Sequence, residues 1–219
     1  LARHPGTARH LCGKLARRFL SDDPPDALVD RLAAEFLAAA DAPDQISRVV
    51  RLLVLSPEFD APPAKLRRPF EFLAALYRAT GAEIIATDSG WSWTLSRAGW
   101  MQHHWGPPTG HPDRAGAWTG ASTLNRMVDL ALYAHDDWFA AGQADLAALA
   151  GADEARGDFA LRHAAALAPA AAPALVTALF QTFGDDPAAL ARDASPEDRH
   201  GLATAAVALA ALSPDFLLR

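Results

Sequence analysis

Between Trp100 and Trp118 the chain sets His103, His104, His111 and Asp113 among three tryptophans and three prolines. Imidazoles and carboxylates are donors that coordinate Zn or another transition metal. These residues therefore point to a metal-dependent hydrolase, with Asp136 or Asp137 able to join from a neighbouring helix. Their spacing does not enforce that chemistry. Adjacent His103 and His104 point about 100° apart on a helix, so only one of them readily faces a shared ion. The chain has no His-Glu-x-x-His and, with Cys12 its single cysteine, no cysteine-pair signature. Without a metal, the same histidines cap helices and sit half-exposed in a Pro-rich loop. No cofactor is predicted, and a divalent metal belongs to the hydrolase alternative alone.

Trp91, Trp93, Trp100, Trp105 and Trp118 offer flat apolar faces with a polar N–H. Such rings suit a carbohydrate or peptide surface, although rings of this kind more often serve as core, here as a plug that wedges a long loop against helices. Exposure separates the two, since buried rings make a plug and exposed rings a surface for a partner. Trp100, Trp105, Trp118 and Arg126 are the candidate ligand or partner residues. Arg126 also has the alternative role of a buried bridge fixing the central loop. Nucleophilic catalysis has less support. There is no Gly-x-Ser-x-Gly elbow, Cys12 and His10 do not share a helical face, and no Gly-rich loop follows a strand to cradle phosphate. The acid pairs Asp22-Asp23, Asp136-Asp137 and Asp185-Asp186 fall at helix boundaries, where capping explains them.

The elements that must position these residues read as helices. Ala8, Leu11, Cys12, Leu15 and Phe19 follow a helical period with Thr7 placed to cap, and Asp22-Asp23-Pro24-Pro25 stops that helix and starts the next. Leu28, Leu32, Phe36 and Ala39 form the second apolar stripe. A third helix is predicted from Asp44 to Leu55 on Ile46, Val49, Val50 and Leu53. A fourth runs from Pro69 to Thr80 on Phe70, Leu73 and Tyr77, closed by Gly81. The only short strand candidate is Glu83 to Thr87. Beyond the aromatic segment, Leu124, Val128, Leu132 and His135 share a face, and helices follow around Phe159 to Leu167 and from Ala174 to Phe183 before Gly184. Ser195-Pro196-Glu197-Asp198 starts a final helix to Leu212. The expectation is an all-α, irregular bundle of about eight to ten helices with one long Trp/His/Pro-rich loop.

A weak internal repeat relates residues 24–59 to 171–216. Leu28-Val29, Leu32 and Phe36 match Leu175-Val176, Leu179 and Phe183, and each copy ends in Leu-Ser-Pro-acid-Phe, at 55–59 and 212–216. Ser as a cap, Pro opening a turn and Phe as an anchor give this motif a mechanical explanation. The chain is read as one all-α domain over 1–219, with 1–81 and 82–219 as sub-units.

A hydrophobic fraction of 51%, a charged fraction of 21% and a net charge of -6 over 219 residues fit a compact fold rather than disorder. Lys14 and Lys65 are the only lysines among 20 basic residues. Arg3, Arg9, Lys14, Arg17 and Arg18 precede the first acid, Asp22, which makes an anionic partner conceivable, but the acidic chain as a whole argues against nucleic acid. The most apolar runs, 164–176 and 202–212, are broken by Pro or fall short of the ~20 residues of a membrane span, so no transmembrane segment is expected. A start at Leu1 without Met suggests a fragment or processed form.

His4-Pro5-Gly6-Thr7-Ala8-Arg9-His10-Leu11, Lys14-Leu15-Ala16-Arg17-Arg18-Phe19, Ser56-Pro57-Glu58-Phe59, Lys65 to Pro69-Phe70-Glu71-Phe72, Gly106-Pro107-Pro108, Ala117-Trp118 and Leu124-Asn125-Arg126 occur in that order. Together they resemble the C-terminal half of the bacterial family called domain of unknown function 1800. The resemblance covers nearly the whole chain. It departs from the family pattern at Gln102-His103-His104-Trp105 and Thr109-Gly110-His111-Pro112. It implies a helical fold, periplasmic or secreted localisation, and as partners the N-terminal half of the same protein and a secreted sulfatase-like neighbour. It implies no established activity. The sequence is therefore read as a helical binding or assembly module whose Trp/His-rich loop is the interaction surface, with the metal-dependent hydrolase as the alternative.

Overall fold

The computed structural model describes residues 1–62, 65–85, 92, 95–96, 98–101, 103–135 and 142–219. It is mainly helical, with a single two-stranded sheet among the described residues, and gathers into two compact units. The first comprises residues Leu1–Leu66, His111–Ala117 and Arg219; the second comprises Arg67–Gly110 and Trp118–Leu218.

In the first unit α1 spans Pro5–Phe19, α2 Asp26–Ala38 and α3 Gln45–Val54. Helix α1 begins earlier than Thr7. Pro5 occupies the first turn, and His4 caps it by accepting the Gly6 N–H on Nδ1 at 3.0 Å. Ala8, Cys12 and Ala16, spaced four apart, form the buried stripe of α1, and their small size lets α2 approach closely with Leu28, Val29, Leu32, Ala33 and Phe36. Val49 and Leu53 of α3 complete this core, while Ile46 and Phe19, expected on apolar stripes, are exposed. A leucine buried in this way stabilises the fold by roughly 1.5–3 kcal/mol.

In the second unit α4 runs Pro69–Thr80, α5 Ala121–Tyr133, α6 Arg156–Ala165, α7 Ala172–Phe183, α8 Pro196–Ala211 and α9 Pro214–Leu217. The Arg68 N–H donates to Glu71 at the start of α4, and the helix ends at Gly81 in the left-handed region at φ 66. The strand expected from Glu83 is two residues long. Here β1 (Glu83–Ile84) pairs antiparallel with β2 (Gly142–Gln143), Glu83 opposite Gln143, and the rest of the 83–87 prediction after Ile85 lies outside the described residues. Helix α8 starts on Ser195, whose Oγ accepts the Asp198 N–H at 3.0 Å. Beyond its charged first turns it is rich in alanine and leucine, and it packs against α5, α6, α7 and α9, which makes it the centre of this unit.

Helix α5 buries a different face from the one expected. Met127, Leu130 and Ala131 are buried, whereas Leu124, Val128 and Leu132 are exposed. Both faces are apolar in period, and the one bearing Ala131 admits closer approach to the alanine-rich surface of α8. The two Leu-Ser-Pro-acid-Phe segments share one device. Buried Ser56 and Ser213 donate their hydroxyls back to the carbonyls of Leu53 and Ala210, at 2.8 and 2.7 Å, rather than capping the turn that follows. Phe216 is buried as an anchor; Phe59 is exposed.

Candidate functional site

The aromatic segment divides by exposure. Trp100 and Trp118 are 9% and 4% exposed, with ring centroids 5.5 Å apart. Phe70 stacks on Trp100 at 6.3 Å and the Arg68 guanidinium lies 4.9 Å from the Trp100 ring centroid, a cation–π arrangement held by the Arg68–Glu71 ion pair at 2.8 Å. These two tryptophans are plugs. Between them the chain turns outward. Met101 and every residue from His103 to Gly110 are exposed, including Trp105 at 37%. His103 takes φ 62, a left-handed conformation that costs a non-glycine residue roughly 1–2 kcal/mol, and Gly110 follows at φ 74.

Residues 111–117 belong to the first unit and are held there by a buried lysine. Lys65 Nζ donates to Asp22 Oδ1 at 2.6 Å and to the Asp113 carbonyl at 2.7 Å, and lies 3.4 Å from the Asp113 carboxylate. Asp22 Oδ2 accepts the Ala115 N–H at 2.6 Å, and Arg114 donates to Asp23 at 2.8 Å. Arg18 approaches Asp113 at 3.7 Å. Partial burial raises the Asp22 pKa, but the hydrogen bonds from Lys65 and Ala115 outweigh it and hold the carboxyl below its ordinary range. The carboxylate read as a metal ligand and the one read as a helix stop thus anchor a loop.

A family model described as Protein of unknown function (DUF1800) matches residues 1–218. The chain belongs to the DUF1800 family. No curated protein and no solved structure gave a match.

Within this DUF1800 chain, half-buried His111 and Asp113 fall in the first unit while exposed His103 and His104 fall in the second. Among the described residues no group of three or more His, Cys, Asp or Glu is arranged to hold a metal ion. Asp136, Asp137, Trp91 and Trp93 lie outside the described residues. Arg126 is exposed on α5, at the margin of the face that buries Met127, Leu130 and Ala131, which corrects its reading as a buried bridge. Two histidines outside the aromatic segment have perturbed acidity. Burial, then the nearby His200 and His163, lowers His135 to about 4, and burial, then Arg162, lowers His163 to about 4. His135 Nε2 lies 2.8 Å from Thr80 Oγ1, and its ring meets Tyr77 edge-on at 5.6 Å. This is the geometry of a satisfied core histidine.

Lys65 is the residue the sequence reading did not single out. Its rarity was the available signal, because a chain that uses arginine almost everywhere retains lysine at only two positions. An ammonium group is a compact point charge that can serve several acceptors at one spot, which matches what Lys65 does.

Proposed function

We propose that this chain is a helical binding or assembly module of an exported bacterial protein, with the exposed tip formed by Met101 and residues 103–110 and the outer face of α5 as its contact surface. The observation that carries this reading is the contrast within one segment. Trp100 and Trp118 are sunk into the second unit, whereas Trp105 and Met101 face solvent beside a left-handed His103. An exposed apolar line on α5, Leu124, Val128 and Leu132 with Tyr133, adds surface of the kind that partners cover. Its partners are the preceding half of the same polypeptide and a secreted sulfatase-like neighbour, and it acts in the periplasm or outside the cell.

A photo-crosslinking residue placed at His104 or at Leu124 in the whole protein, produced in its native host, tests this. Crosslinks from both positions to the same polypeptide segment, lost on Trp105→Ser and absent from a control at Thr177 on α7, are expected. Equal labelling from Thr177, or labelling indifferent to Trp105→Ser, removes the proposed surface.

A further inference from the structure

One face of α1 carries Gly6, Arg9, His10, Gly13, Lys14 and Arg17, a stripe at helical spacing. This stripe lines a cleft of about 640 Å³ together with Asp23, Pro24, Asp26, Val29 and Arg114. Gly13 faces Val29 of α2, whose Cγ1 lies 3.8 Å from where a Cβ at Gly13 would stand.

The charges in the cleft do not cancel. Arg9 is occupied by Asp26 at 2.7 Å and by Asp30, and Arg114 by Asp23 at 2.8 Å. Arg17 is tethered differently. Its Nε donates to the backbone carbonyl of Asp22 at 3.1 Å, which fixes the plane of the guanidinium and spends none of its charge on a carboxylate. Among the described residues Lys14 meets no carboxylate either. The lining thus holds four cations against two acids, and the two uncompensated cations, Lys14 and Arg17, share the α1 stripe with the imidazole of His10. Arg114 is delivered to the cleft by the loop that Lys65 and Asp22 lock in place. A preset guanidinium plane, a mobile ammonium and an imidazole N–H are complementary to a tetrahedral oxyanion.

We propose that this cleft binds the phosphate group of a small phosphomonoester, held by Lys14 and Arg17, with His10 and Arg114 at its margins. Size and charge select the class. The volume falls within the range of small-molecule sites, and the two cations left without a carboxylate match the charge of a single dianionic group.

Calorimetric titration with glucose 6-phosphate, glucose and inorganic phosphate tests the assignment. A short oligodeoxythymidylate and phosphatidylcholine vesicles containing phosphatidylglycerol serve as the polymer and membrane arms. Saturable binding of glucose 6-phosphate, tighter than inorganic phosphate and absent for glucose, is expected. Lys14→Gln weakens it by roughly tenfold, the loss of one charge-assisted contact, and Lys14→Glu abolishes it. Arg51→Glu on α3, the same change of charge outside the cleft, leaves it unaltered. Circular dichroism melts confirm that the exposed Lys14 variants fold. The assignment is overturned if glucose 6-phosphate fails to bind, binds no more tightly than inorganic phosphate, or is lost equally in Arg51→Glu. Preferential binding of the oligonucleotide or the vesicles overturns it as well.

Discussion

Lys65 Nζ sits 2.6 Å from Asp22 Oδ1 although only 3% of the lysine side chain reaches solvent. A buried charge is tolerated only when it is paired, and here the pairing also holds residues 111–117 through Asp113 and Ala115. Lys65→Met leaves two carboxylates facing an apolar stem, so unfolding by urea at pH 7 is expected to require about 3 kcal/mol less. Asp22→Asn keeps an acceptor for the Ala115 N–H and is expected to cost less than Lys65→Met. The reverse order would mean that the loop, and not the lysine, dominates the network.

The two roles within the aromatic segment separate in stability. Trp100→Ala removes a ring packed by Phe70, Arg68 and Trp118, with an expected loss of about 3–5 kcal/mol. Trp105→Ala removes an exposed ring and is expected to change stability by less than about 0.5 kcal/mol. Thermal melts of both variants decide this. Equal losses would place Trp105 in the core and take away the contact surface.

His135 and His163 make the second unit sensitive to mild acid. Both titrate near 4 in the fold, while an imidazole in an unfolded chain titrates near 6.5. The unfolded chain therefore binds more protons between these values, and stability falls as pH drops through that window, by at most about 1.4 kcal/mol per pH unit for each imidazole. Above pH 6.5 neither residue contributes a slope. Urea titrations across pH 4 to 7 are expected to show this decline, and His135→Gln and His163→Gln each to flatten it. Unaltered slopes in both variants would assign the acid sensitivity elsewhere.

How far the fold is legible in the sequence depends on which forces act locally. Leu28, Leu32 and Phe36 share one face of α2 and are buried as their period requires, and Gly184 and Ser195 end and start helices by local geometry alone. Period fails on α5 because both of its faces are apolar, so its packing partners, alanine-rich α8 and α4, select Met127 and Ala131 over Leu124 and Val128. The candidate site was legible as composition and not as geometry. Tryptophans at 100, 105 and 118 look alike in sequence, yet long-range packing buries two and leaves one outside. The capture of His111–Ala117 by the first unit rests on Lys65 and Asp22, whose separation from the loop in sequence no local rule bridges.

Cys12 offers a built-in reporter of opening in the first unit. It is fully buried on α1 between α2 and α3, and burial pushes its thiol up to about 11. Alkylation by iodoacetamide at pH 8 is therefore expected to proceed only through unfolding, at a rate that rises in Leu32→Ala, whose truncation costs about 2–5 kcal/mol of the same core. Rapid alkylation of the native chain would contradict the packing of α1.

The metal-dependent alternative meets its test at Asp113. Its Oδ1 faces the Lys65 ammonium at 3.4 Å and the Arg18 guanidinium at 3.7 Å, so an ion placed on that oxygen would compete with both cations. Drawing it to an ion would strip the buried lysine of a partner, so binding there would have to offset the cost of leaving that charge underpaired. Elemental analysis of the purified chain, with melts in the presence and absence of chelator, is expected to give sub-stoichiometric metal and a melting temperature indifferent to chelation, for the parent chain and for His111→Ala alike. Stoichiometric metal that disappears with His111→Ala, together with a lowered melting temperature, would instead make the hydrolase the better account and direct attention to ester and phosphate substrates.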